Sequence, residues 1–175
     1  MLQLIKNKKV LSTRLSIAPI TLKAAPFVRT LFNTSGWLKY IGDRNIHSIA
    51  AAENFISSAI CNTNAAIWTI SKQEIETLPL GIITLVKRDF LSQPDIGYAL
   101  LPNAMKMGYA KESALAVIDE IKSTNFVEHI YAISLENNIQ SLNLLNKLHF
   151  NFEKEIIQDN EALHLYKLEL TQNHS

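Results

Sequence analysis

Cysteine occurs once, at position 61, so no disulfide can close within the chain and no cysteine cluster can hold a metal. The five histidines, at 47, 129, 149, 164 and 174, are scattered and lack the i, i+4 spacing of a helical metal site. No metal is expected. Excess charge is missing too: 17 basic against 16 acidic residues leave a net +1, which demands neither nucleic acid nor an anionic membrane as partner. No apolar run nears the roughly 20 residues of a membrane span, and the opening Met-Leu-Gln-Leu-Ile-Lys-Asn-Lys-Lys lacks the apolar core of a signal peptide. Internal repeats, low-complexity tracts and interdomain linkers are likewise missing. These absences predict a cytoplasmic protein with one domain over residues 1–175. Residues 1–10, with Lys6, Lys8 and Lys9, are expected to form a flexible, solvated arm.

What is present is an ordinary globular mixture, 47% apolar and 19% charged, long enough to bury a sizeable core. Leu15 and Ile17 alternate with polar or small neighbours and predict a strand over 14–20. Thr21 is placed to cap a helix over 22–34, although Pro26 falls inside it. Ser48 caps a second helix, 48–60, with Ile49, Ala52, Ile56 and Ile60 on one face. Strands follow at 65–71 and 80–87, joined by a polar hairpin loop from Lys72 to Pro79, then another at 95–101. Helix 109–123 carries the clearest apolar stripe, Ala110, Ala114, Val117, Ile118 and Ile121. Strand 129–135, helix 138–148 (Ile139, Leu142, Leu145, Leu148) and strands 150–157 and 162–170 complete the order. Hairpins around 70–100 imply antiparallel pairing. The β–α–β unit 95–135 implies one parallel pair with a right-handed crossover. The class is α/β (α+β).

The stretch from Asp95 to Ala114 joins a short strand, a loop opening at Pro102, and a helix starting near Ala110. A helix start presents free N–H groups and the positive end of the helix dipole. Gly108 permits close backbone approach, and Lys106 and Lys111 add positive charge, so residues 106–111 predict a seat for a phosphate-bearing cofactor. No glycine-rich turn follows the first strand, which argues against an α/β dinucleotide-binding domain.

Asp-Ile-Gly-Tyr-Ala-Leu-Leu-Pro, five residues, then Gly-Tyr-Ala-Lys-Glu-Ser-Ala-Leu resembles the central motif of the GNAT superfamily of acyl-CoA-dependent N-acetyltransferases, most closely its RimJ/RimL-like branch. Leu11-Ser-Thr-Arg-Leu-Ser-Ile resembles that branch's first strand, with Ala18 near the place of a second arginine. Trp37 to Arg44 resembles its substrate-side segment, and Gly81 to Asp89 the strand before the central motif. Asn138-Ile-Gln-Ser to Lys-Leu-His-Phe150 resembles the late motif. The departures are Asn103 for Arg or Gln and Lys106 for the first glycine of the pyrophosphate loop, and His149 for the glycine before Phe150, a helix C-terminal position that favours positive φ.

The resemblance implies a mixed, mostly antiparallel sheet whose central strand pair splays around the acyl thioester, flanked by helices. It implies acetyl-CoA as acyl donor, no metal, and direct attack by a primary amine on a protein N-terminus or small molecule, in a monomer or homodimer. Asp95 matches an acidic position and is the implied base; alternatively it is a surface carboxylate ending the Gln93–Pro94 turn. Glu112 is a second acid, in the first turn of a helix. Ser141 would hydrogen-bond or protonate the departing thiolate, and Asn138 would touch the pantetheine arm; both also suit an N-cap. The backbone of Ala99, Leu100 and Leu101 would meet the pantetheine amides and thioester oxygen, and Lys106, Met107, Gly108, Tyr109, Ala110 and Lys111 the pyrophosphate. The tyrosine that many members use for the leaving group is missing, its place taken by Leu145. Trp37, Tyr40, Arg44 and Trp68 are candidates for the acceptor side or for core and rim. Cys61 has no evident histidine partner and is expected to be a buried thiol. The alternative function is a degenerate fold acting as a non-catalytic CoA-binding or protein-interaction module.

Overall fold

The structure, a computed structural model, describes residues 2–158 and 160–170; His174 lies outside them. Eight strands form one sheet in the order β1-β2-β3-β4-β5-β6-β8-β7. They are β1 (Val10–Leu11), β2 (Leu15–Pro19), β3 (Ala65–Lys72), β4 (Ile75–Val86), β5 (Asp95–Leu100), β6 (His129–Ser134), β7 (Asn151–Gln158) and β8 (Glu161–Glu169). The helices are α1 (Gln3–Lys6), α2 (Ala25–Phe32), α3 (Ser35–Tyr40), α4 (Ile49–Cys61), α5 (Tyr109–Thr124) and α6 (Ile139–Lys147). Every pairing is antiparallel except β5 with β6, whose crossover is α5. This is the mixed, mostly antiparallel architecture that the strand and helix periodicities predict.

Period-2 alternation sorts the sheet's side chains into two cores. Leu15, Ile17, Trp68, Ile70, Ile83, Ile96 and Ile130 face α5 and α6 and pack with Ala114, Val117, Ile118, Ile121, Leu145 and Leu148. On the opposite face Ile82, Ala99 and Leu101 pack under α2, α3 and α4, with Val28, Leu31, Phe32, Trp37, Ala52 and Ile56. Each fully buried aliphatic chain is worth roughly 1.5–3 kcal/mol in transfer free energy. Beyond β5 on this second face the β6–β8–β7 portion is covered at Leu91, Tyr131 and Leu165 by the loop after β4.

Several boundaries differ from the sequence pattern. Pro26 has no N–H for the Leu22 carbonyl, so residues 22–24 form a 3-10 turn and α2 restarts with the proline in its first turn. Thr21 makes no side-chain cap there, whereas Ser48 accepts from Ala51 N at 3.1 Å and caps α4 as its spacing predicts. Ala52 and Ile56 of α4 are buried, but Ile49 and Ile60 stay exposed because the helix meets the sheet along a narrower stripe. Ile139 of α6 is exposed for the same reason, while Leu144 takes a buried place. The Lys72–Pro79 segment is mostly strand: β4 begins at Ile75, and register shifts at Ile70–Lys72 admit Pro79 into the ladder. Cys61 ends α4 exposed rather than buried.

The expected flexible arm is docked. Leu2 and Ile5 are buried in the core, and the Lys6 ammonium bonds the carbonyls of Ala59 (3.1 Å), Ile60 (2.6 Å) and Asn62 (2.5 Å) at the end of α4. Those carbonyls have no intrahelical donors, so the cation satisfies them and complements the negative end of the helix dipole.

Candidate active site

A cleft opens in the middle of the sheet. Strands β5 and β6 share a single ladder pair among the described residues, Asp95 with Tyr131, joined by the Tyr131 N–H to the Pro94 carbonyl at 2.9 Å. From that end the strands diverge toward Leu100 and Ser134. On its other edge β5 pairs with β4 along its whole length, from Asp95↔Val86 to Leu100↔Gly81. The Leu101 N–H donates to the Leu80 carbonyl at 2.8 Å. Antiparallel alternation therefore turns the backbone groups of Leu101, Ala99 and Gly97 toward β4, and those of Ile96, Tyr98 and Leu100 into the cleft. Of the expected trio Ala99 to Leu101, only Leu100 offers its N–H and carbonyl to a ligand between the strands. At the open end β4 and β5 approach so closely that a Cβ on Gly81 would fall 2.4 Å from the Ala99 oxygen.

The loop from Pro102 leads to α5. Ala104 is buried and anchors it, Lys106 takes φ +62°, and Gly108, the N-cap, takes φ +81°. The Lys106 position, filled by glycine in the resemblance, keeps a glycine-like left-handed conformation, so the path of the loop survives the substitution. Gly108 bears no capping side chain, and the N–H groups of Tyr109, Ala110 and Lys111 precede the first intrahelical bond, Glu112 N–H to the Gly108 carbonyl at 3.0 Å. Residues 106–111 thus form an uncapped helix start, with the Lys106 and Met107 side chains exposed and Tyr109 buried.

Arg14, just before β2, braces this loop. Its guanidinium donates from Nη2 to the Met107 carbonyl at 3.1 Å, pairs with Glu112, and lies 4.7 Å from the Tyr109 ring centroid. Glu112 accepts from Ser12 Oγ at 2.8 Å and from the Arg14 N–H at 2.7 Å. Partial burial opposes its charge, but these donors and the guanidinium outweigh that and hold the carboxyl below the usual range. With both oxygens engaged, Glu112 is an ionised brace rather than a base.

Asp95 is not a surface carboxylate. It is 4% exposed, and Arg88 donates to it from Nε at 2.6 Å and Nη2 at 3.2 Å. Burial pushes its carboxyl up from the ordinary value against the pull of Arg88. It sits at the closed end of the cleft. Four residues along the strand, about 13 Å at ~3.3 Å per residue, separate it from Ala99. The guanidinium engages both carboxylate oxygens, and the burial corrects the alternative of a surface carboxylate ending the Gln93–Pro94 turn.

Ser141 and Asn138 come together at the start of α6, where Asn138 Oδ1 accepts from the Ser141 N–H at 3.2 Å. Tyr98, to which the sequence assigned no role, reaches across the cleft from β5 to the same serine, 3.2 Å from its Oγ and 3.3 Å from its carbonyl. Period-2 alternation is the signal that places Tyr98 on the α6 face beside Ile96 and Leu100. Leu145 is packed in the core. Trp68 is core as well, its Nε1 donating to the Lys8 carbonyl at 3.0 Å, so it does not line an acceptor surface. Trp37 is buried and stacked on Phe32 at 3.7 Å, Tyr40 lies under the Lys39 ammonium, and Arg44 is exposed. At the end of α6, His149 takes φ +64°, and its N–H and that of Phe150 close the helix onto the Asn146 and Leu145 carbonyls, both at 3.0 Å.

A family model for the acetyltransferase (GNAT) domain matches residues 14–151. No curated protein is similar enough in sequence to match. Solved structures are similar throughout. A GNAT-family acetyltransferase from Bacillus anthracis is 22% identical, with a TM-score of 0.78, over 93% of this chain and 99% of that one. The microcin C7 self-immunity acetyltransferase MccE, solved with acetyl-CoA and AMP, is 18% identical with a TM-score of 0.77, over 90% and 93%. RimL, the ribosomal L7/L12 α-N-protein acetyltransferase solved with coenzyme A, is 15% identical with a TM-score of 0.80, over 93% and 98%.

Proposed function

Because the chain belongs to the GNAT acetyltransferases, in their RimJ/RimL-like branch, we propose that it moves the acetyl group of acetyl-CoA to a primary amine by direct attack, and that an α-amino group is the acceptor class. The observation that carries this reading is the cleft between β5 and β6, which opens beside the uncapped start of α5. One straight ligand with a pyrophosphate, an amide-bearing arm and a terminal thioester fits that line of groups. The pyrophosphate meets the N–H groups of Tyr109, Ala110 and Lys111, with Lys106 and Lys111 supplying positive charge. Pantetheine lies along β5 against Tyr98 and Leu100, and Asn138 meets its far amide. A cleft-facing N–H of β5, from Ile96, Tyr98 or Leu100, is the donor for the thioester oxygen, where negative charge develops as nitrogen attacks the carbonyl carbon.

The acceptor class follows from the acids. Asp95 is clamped at the closed end and Glu112 is spent on Arg14. The amine must therefore lose its proton to solvent before it attacks, and at pH 7 roughly a tenth of an α-amino group with a pKa near ~8 is neutral, against fewer than about one in a thousand for a lysine near ~10.4. The preferred substrate is a peptide or protein N-terminus, as for RimL, an α-N-protein acetyltransferase, or a small amine of similar pKa. Nitrogen bonds to the carbonyl carbon, its surplus proton passes to solvent water, and collapse of the oxyanion breaks the carbon–sulfur bond; sulfur leaves with its electron pair as a thiolate facing Ser141 Oγ–H and is protonated from water.

Lys106 in the pyrophosphate loop and Leu145 in place of a tyrosine are the features that would favour a non-catalytic interaction module. The left-handed Lys106 keeps the loop open, which favours the enzyme. Calorimetric titration with acetyl-CoA and CoA tests the reading. Micromolar binding, about −8 kcal/mol, followed by thiol release with peptides bearing free but not blocked N-termini, is expected; no binding of either nucleotide would overturn it.

A further inference from the structure

We propose that Tyr98 positions Ser141 for the departing thiolate: the phenol donates to Ser141 Oγ and thereby turns the serine's own O–H into the cleft between β5 and α6. The proposal rests on the acetyltransferase reading above and adds a residue to it. A serine hydroxyl carries one hydrogen and can swing through three staggered positions. Its backbone N–H is already taken by Asn138 Oδ1, which fixes the first turn of α6 but leaves the hydroxyl rotor free. Tyr98 is placed to restrict that freedom. Its oxygen is 3.2 Å from Oγ and 3.3 Å from the Ser141 carbonyl. A phenol between these two acceptors has one proton to give, and when Oγ receives it the serine hydrogen must point elsewhere.

The surroundings keep the phenol protonated. Its side chain packs on the α6 face of β5 against the larger core. Burial pushes its hydroxyl up to about 12, only partly offset by the serine, so it stays protonated across the range in which an amine acceptor is neutral. Leu145, one turn further along α6, is buried in the core and offers no polar group. Tyr98 approaches the same serine from the opposite wall of the cleft. No proton leaves Tyr98 in this scheme: the thiolate receives a hydrogen bond from Ser141 Oγ and takes its proton from water as CoA departs.

Coenzyme A itself is the probe, because its bound thiol reports the donors around sulfur without an acceptor amine. The ultraviolet absorbance of the thiolate is followed from pH 6 to 10 in complexes with wild type, Tyr98→Phe, Ser141→Ala and the double variant, and desulfo-CoA complexes supply the baseline. All four are titrated at saturating CoA, so that any loss of affinity does not enter the comparison. The bound thiol should be about tenfold less acidic in Tyr98→Phe than in wild type, at least as much so in Ser141→Ala, and no further shifted in the double variant. A Tyr98→Phe titration that overlays wild type while Ser141→Ala is shifted overturns the positioning role. Overlay of all four curves, with CoA bound, overturns the role of both residues but leaves the acetyltransferase reading standing. Failure of wild type to bind CoA sinks that reading and this one together.

Discussion

Arg14 and Glu112 lie 98 residues apart in the chain, yet Arg14 Nε donates to Glu112 Oε2 at 2.7 Å and Nη2 stands 2.6 Å from the same oxygen. The pair ties the residue before β2 to the first turn of α5, and the same Nη2 also donates to the Met107 carbonyl next to Gly108. A carboxylate in that turn would otherwise sit free beside an incoming pyrophosphate. Arg14→Ala should therefore lower CoA affinity about tenfold, or ~1.4 kcal/mol, with Arg14→Lys recovering only part because an ammonium cannot form the fork. Titration calorimetry decides it; unchanged affinity in Arg14→Ala would show that the loop holds itself.

Lys106 predicts a gain. A non-glycine residue in the left-handed region costs roughly 1–2 kcal/mol, and Lys106 has φ +62°. Lys106→Gly should stabilise the fold by about 1 kcal/mol, less the extra backbone freedom that glycine gives the unfolded chain. Urea unfolding measures the gain, and calorimetry should find CoA affinity kept within a few-fold. A loss of affinity well beyond that would mean the ammonium pairs with the pyrophosphate.

Asp95 gives a pH signature opposite in sign to an ordinary surface ion pair. Its carboxyl is raised above the ordinary value of 3.8 by burial, so the folded state binds the proton more tightly than the unfolded chain. The stability it contributes is full below about 3.8 and is lost as pH rises through the elevated folded value. Relative to Asp95→Asn, wild type should lose ground in urea unfolding between pH 4 and 7, and turnover of the variant should stay within about threefold. A trend in the other direction would put Arg88 in command of that carboxyl, and a collapse in turnover would return Asp95 to the chemistry.

Lys6 predicts that the first residues are part of the fold. Replacing it by alanine strands the Ala59, Ile60 and Asn62 carbonyls at the end of α4. The expected cost is about 2 kcal/mol, the usual worth of hydrogen bonds to a charged group. Chemical denaturation of Lys6→Ala and Lys6→Arg checks it; a cost below a few tenths of a kcal/mol in the alanine variant would leave the segment loosely held.

The sequence by itself determined the order of the main strands and helices, the helix caps at Ser48 and Asn138, and the glycine-led start of α5, because these depend on periodicity and turn chemistry within a few residues. It also marked His149 as a positive-φ position, a local property of helix ends. What faces what across the sheet was decided only by the tertiary structure. Neither Arg14 with Glu112 nor Tyr98 with Ser141 leaves a trace in local pattern, since each joins residues brought together by strand order and crossover. Asp95 looked like a surface acid because its burial comes from strands and loops distant in sequence. The N-terminal lysines looked like a solvated arm because the carbonyls that capture Lys6 belong to a helix more than fifty residues away.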